Sequence, residues 1–129
     1  MLSLENLTVR YGGLSALTNV SINVQAGEFV TIIGPNGAGK TTLLKAISGV
    51  VQPTEGRVVF EDRNLASVPA PSRPKLGIAH VPEYRQVFGG LSVRENLELG
   101  TTSLGGRGDR RANVRLALEL FPILAEKSD

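Results

Sequence analysis

Apolar residues fall at positions 2, 4, 7 and 9, close to the period of two that a half-buried strand requires, with one irregular step. Val20, Ile22 and Val24 alternate strictly with Ser21 and Asn23, and predict a second strand with one face on a core. Ala26 and Gly27 then turn the chain into residues 29–33, a mostly apolar run (Phe-Val-Thr-Ile-Ile) that reads as a strand. From Thr41 to Ser48 the period changes: Leu43, Leu44 and Ile47 share one side of a helix, and Gly49 suits its C-terminal cap. A turn cluster at 52–56 precedes a short strand at 57–61. Residues 66–74 hold Pro69, Pro71 and Pro74, which predicts an exposed connector or broken helix. Residues 77–81 read as a buried strand closed by Pro82 and containing the one histidine, His80, in a core or surface role. Ser92 with Glu95 forms a capping box for a helix to about Leu99. Residues 101–109 hold three glycines and predict a loop. Val114, Ala117, Leu118 and Phe121 then mark a last helix ending near Pro122.

One passage carries chemistry. Gly34, Pro35, Asn36, Gly37, Ala38, Gly39, Lys40, Thr41 and Thr42 satisfy the phosphate-loop pattern of two spaced glycines followed by Lys and a hydroxyl residue. Such a loop wraps backbone N–H groups around anionic oxygens, which leaves no room for a Cβ at its glycines. Lys40 offers a point charge for terminal phosphates, and the Thr41 hydroxyl is a suitable ligand for Mg²⁺. The expected order of strand, loop and helix aims a helix N-terminus at the phosphate. A glycine-rich turn without a ligand would not require that context.

Composition adds bounds. In 129 residues, a hydrophobic share of 41% and a charged share of 20% fit one globular domain or part of one. The formal charge of +2 gives no argument for nucleic acid. Arg107, Arg110, Arg111 and Arg115 cluster locally, which reads as a solvated helix face. Without cysteine there are no disulfides or thiolate metal sites, in keeping with a reducing compartment. No signal peptide or spanning apolar run is present, so membrane association is expected only through a partner.

Around the phosphate loop, Leu7 to Glu28 (LTVRYGGLSALTNVSINVQAGE) and Gly77 to Gly100 (GIAHVPEYRQVFGGLSVRENLELG) resemble the N-terminal half of an ATP-binding cassette (ABC) transporter ATPase. Val81-Pro-Glu83 and LELFPILAEK (Leu118 to Lys127) are similar to the ATPases of branched-chain amino acid importers. The resemblance implies an α/β P-loop NTPase fold, truncated. Its parts would be an antiparallel β subdomain and P-loop core over 1–76, a Q-loop strand and loop over 77–91, and the start of a helical subdomain over 92–129. It further implies ATP and Mg²⁺ as ligands, adenine stacking on Tyr11, and Glu83 beside Mg²⁺ or the attacking water. Aromatic stacking of this kind is worth about 0.5–1.5 kcal/mol beyond area burial. Implied partners are membrane-spanning permease subunits and a second ATPase subunit, at the cytoplasmic face of the cell membrane. Most of the family has Gln at the position of Glu83; a carboxylate remains a competent ligand for a hard cation. Tyr84 replaces the usual Gly, so a positive-φ conformation is expected to be lost there.

Three family elements do not occur in these 129 residues: the Leu-Ser-Gly-Gly-Gln signature, the apolar strand ending in Asp-Glu, and the switch His. Val58 to Asp62 is acidic in the wrong order and belongs to a hairpin, and Ser103 to Arg107 is a glycine-rich loop. The strand at 29–33 is expected to need partners beyond residue 129, which would leave its edge open. The chain alone is therefore expected to bind nucleotide weakly and not to turn it over. The competing readings are a truncated non-catalytic fragment that at most binds nucleotide, and an unrelated phosphate-loop kinase or GTPase. Against the last stand Tyr11, Val81-Pro-Glu83 and the lack of an Asn-Lys-x-Asp motif.

Overall fold

The computed structural model describes residues 1–84, 86–102 and 110–127, which fall into two compact units, Met1–Arg73 and Pro74–Asp129. The first unit is built on a four-stranded antiparallel sheet of order β2-β1-β3-β4. Its strands are β1 (Leu2–Tyr11), β2 (Leu14–Val24), β3 (Glu55–Phe60) and β4 (Arg63–Asn64). The irregular apolar step in β1 is a bulge: Leu4 pairs with Ile22 and Leu7 with Val20, and between them Asn6 takes a φ of 50°. The Asn6 amide donates to Ser21 Oγ at 2.9 Å, so the extra residue keeps a partner. The bulge lets Leu4, Leu7 and Val9 all face inward, at 2%, 0% and 0% exposure. Leu17, Val58 and Leu65 complete this apolar layer with Leu43 and Ala46 of α1 (Lys40–Ser48). Glu61 and Asp62, both at positive φ, make the two-residue turn between β3 and β4, which confirms the hairpin read there.

Two predicted strands do not form. Residues 29–33 and 77–81 carry no ladder among the described residues, and Phe29 and Ile33 are 94% and 90% exposed. A strand exists only through pairing, and a continuous apolar run suits one buried on both faces between parallel neighbours. The local sheet is antiparallel, and neither segment is among its strands. His80, read as lying within a strand, is a half-buried residue of irregular chain. Of the two forms expected for the proline-rich segment, an exposed connector or a broken helix, the structure shows the second. It forms 3₁₀ turns at Leu65–Ser67 and Ala70–Leu76, and places Arg73 at 2% exposure.

In the second unit, α2 (Val93–Thr101) packs on α3 (Arg110–Leu120), and α4 (Pro122–Glu126) follows. The capping box is present in both directions: Glu95 N–H donates to Ser92 Oγ at 3.2 Å, and Ser92 N–H donates to Glu95 Oε2 at 2.8 Å. Pro122 opens α4 at its first turn, where a missing N–H costs nothing. Val114 is the buried anchor of α3. Arg107 and the glycine-rich loop, with the segment likened to a signature, lie outside the described residues apart from Thr101 and Thr102, which continue α2.

Candidate functional site

The sequence places two glycines where the backbone must take a left-handed turn, and the structure uses both. Gly37 has a φ of 84° and Gly39 a φ of 89°. At Gly39 there is a second constraint: a Cβ would lie 2.5 Å from the Ala16 carbonyl oxygen and 2.6 Å from Leu17 Cδ2. The loop is thus pressed against β2 at the residue where α1 begins. Gly39 is also the N-cap of α1 and offers no side chain to its amides. The first helical turn is closed by Leu43 N–H donating to the Gly39 carbonyl at 2.9 Å, and Ala38 N–H donates to the Pro35 carbonyl at 3.2 Å. Pro35, Asn36, Gly37 and Ala38 face solvent, whereas Gly34, Lys40, Thr41 and Thr42 are half-buried.

Lys40 curls back over the loop it follows. Its Nζ donates to the carbonyls of Gly34 at 2.7 Å and Pro35 at 2.8 Å. These charge-assisted bonds hold an ammonium inside a ring of backbone, in a position where anionic oxygens could replace the two neutral acceptors. The residues fit a phosphate: the glycines leave room, α1 contributes the positive end of its dipole, and Lys40 contributes a full charge. For Mg²⁺ the same unit supplies the Thr41 hydroxyl. Among the described residues no group of three His, Asp or Glu side chains is arranged to hold a metal.

Tyr11 ends β1 and pairs with Leu14 across the hairpin; at 48% exposure its ring is available for stacking. Glu83 is exposed and belongs to the second unit. Its neighbour overturns an expectation: Tyr84 keeps a φ of 65° despite its Cβ, so the positive-φ turn survives the loss of glycine. The side chain is 89% exposed and meets no packing that would forbid the conformation, which leaves only the intrinsic strain of the left-handed region.

The other end of α1 involves a residue that the pattern did not single out. Gly49 caps it with a φ of 82°, and its N–H donates to the Ala46 carbonyl. Arg73 Nη1 donates to the carbonyls of Ala46 at 2.8 Å and Ile47 at 2.6 Å. Its Nη2 and Nε reach the carbonyls of Leu65 at 2.9 Å and Val68 at 3.1 Å. Burial lowers the Arg73 pKa from its ordinary value by desolvating the guanidinium. Nothing in the sequence marks Arg73 apart from other arginines, because the Ala46 and Ile47 carbonyls it meets are 27 and 26 residues away.

The ABC transporter family profile matches residues 17–128. A high-affinity branched-chain amino acid transport ATP-binding protein of Pseudomonas aeruginosa is 41% identical over 127 residues, covering 98% of this chain and 54% of the relative. A zinc import ATP-binding protein of Jannaschia sp. is 38% identical over 117 residues, covering 91% of this chain and 43% of the relative. Among solved structures, a dimeric post-hydrolysis state of an ATP-binding cassette bound to ADP and Pi superposes with a TM-score of 0.76. It is 31% identical and covers 92% of this chain and 55% of that one. The chain thus spans about half the length of the relatives it matches. Residues 34–42 lead into α1 without the strand expected before them, and with the family profile covering most of its residues the chain belongs to the ABC transporter ATPase family.

Proposed function

We propose that the chain is the nucleotide-binding part of an ABC importer ATPase subunit, and that Mg-ATP binds with its phosphates in the loop 34–42. The observation that carries this is the Lys40 ammonium, held over the loop by two carbonyls at the N-terminus of α1. Exchange of those carbonyls for phosphate oxygens pairs a charge with a charge. Gly34, Pro35, Asn36, Gly37, Ala38 and Gly39 wrap the terminal phosphates, Thr42 sits in the first turn of α1, and Tyr11 stacks on the base. The Thr41 hydroxyl would hold Mg²⁺, which neutralises phosphate charge when bound.

In the intact protein, hydrolysis would drive transport through membrane-spanning permease subunits and a second ATPase subunit, at the cytoplasmic face of the cell membrane. No helix among the described residues is long and apolar enough to cross a bilayer. Branched-chain amino acids are the favoured cargo, supported by Val81-Pro-Glu83 and by the name of the Pseudomonas relative, whereas the Jannaschia relative is named for zinc import.

The test is titration of the polypeptide with a fluorescent ATP analogue and Mg²⁺. Saturable binding that Lys40→Ala weakens at least tenfold is expected. Equal affinity of the two proteins would remove the site.

A further inference from the structure

Arg73 is among the most buried charged groups of the first unit, and the proposed nucleotide site gives it no part. Its four donor contacts all end on backbone carbonyls, two at the C-terminal end of α1 and two in the segment 65–68. No carboxylate among the described residues forms an ion pair with it. A buried cation is costly to desolvate, and here the compensation comes from the negative end of a helix dipole and from the last carbonyls of α1, of which that of Ala46 also accepts from Gly49 N–H. The fit is tight: a Cβ on Gly49 would lie 2.6 Å from Arg73 Nε and 2.7 Å from its Cζ. Pro74, which follows it directly, restricts the Arg73 backbone, so less chain entropy is lost in holding it there.

We propose that Arg73 is a positioning residue for the phosphate loop: it pins the C-terminal end of α1 to residues 65–68 and thereby sets nucleotide affinity from outside the site. α1 has nine residues, so the two ends are about 14 Å apart. A helix held at one end can swing about that end. The N-terminal end rests on β2 through Gly39, and Arg73 supplies the second fixed point. With both ends held, the amides of the loop keep a single direction before any ligand arrives, which lowers the cost of ordering them on binding. The proposal rests on the nucleotide-binding reading above, and the experiment separates the two.

Arg73→Met removes every donor, and Arg73→Lys restores a charge with fewer and more compact donors. Amide hydrogen exchange without nucleotide is followed at residues 34–48 and, as an internal reference, at Leu4 and Leu7 of β1. Arg73→Met is expected to speed exchange at 34–48 while β1 keeps its protection, with Arg73→Lys between it and the unaltered protein. Titration with the fluorescent ATP analogue, at a temperature where all three are folded, is expected to show affinity falling about tenfold in Arg73→Met and partly recovering in Arg73→Lys. Unchanged exchange at 34–48, or a rise shared equally with β1, overturns the proposal by making Arg73 a global stabiliser only. Equal affinities of folded variants overturn it as well. If the unaltered protein fails to bind the analogue, the nucleotide reading falls, and the exchange pattern still decides whether Arg73 holds the loop.

Discussion

Gly39→Ala tests the seating of the phosphate loop on the sheet, and Gly37→Ala is its control. Both residues take left-handed backbone, at φ of 89° and 84°, so both alanines carry a similar intrinsic penalty of about 1–2 kcal/mol. They differ in surroundings. Around Gly37 nothing lies within 4 Å of an added Cβ, whereas at Gly39 it meets the Ala16 carbonyl oxygen at 2.5 Å and Leu17 Cδ2 at 2.6 Å. Ala16 and Leu17 are fixed in β2, and Leu17 is 7% exposed, so the loop rather than the strand must yield. Overpacking of this kind costs about 1–3 kcal/mol. Gly39→Ala is therefore expected to be less stable than Gly37→Ala by about 1–3 kcal/mol, within a total that for a domain is about 5–15 kcal/mol. Urea unfolding of both variants, followed by far-ultraviolet circular dichroism without nucleotide, measures the difference directly. Equal midpoints and slopes would show that Gly39 is not pressed against β2 and that its role is conformational alone.

Two further outcomes concern the second unit. Ser92→Ala removes the hydroxyl that accepts from Glu95 N–H, and should lower the stability of α2 by about 1 kcal/mol; faster amide exchange at Val93 to Asn96 with α3 unaffected is the measurement that checks it. Tyr84→Gly relieves a φ of 65° and should stabilise the loop by about 1 kcal/mol, seen as a higher urea midpoint; a lower midpoint would show that the Tyr84 ring contributes packing that its 89% exposure denies.

Local rules made the phosphate loop, the capping box and the C-terminal glycine of α1 legible in the sequence. Each depends on residues within one or two turns of one another. Lys40 follows Gly39 whatever the rest of the chain does, and Ser92 meets Glu95 because a helix places the N-cap beside its third residue. The bulge in β1 was also visible, as the misplaced step between Leu4 and Leu7, because a core face tolerates no change of side.

What tertiary structure alone decided is which extended segments find partners and which polar groups meet. Residues 29–33 and 77–81 have strand composition, yet their pairing depends on what lies alongside, and no described strand does. No sequence pattern singled out Arg73; its burial follows from the carbonyls of residues 46 and 47, far away in sequence, which converge on it when α1 packs over the sheet. Sequence fixes torsional preference and periodicity, which act over a few residues. Convergence of distant backbone groups on a single side chain is a property of the packed chain, and only the folded coordinates contain it.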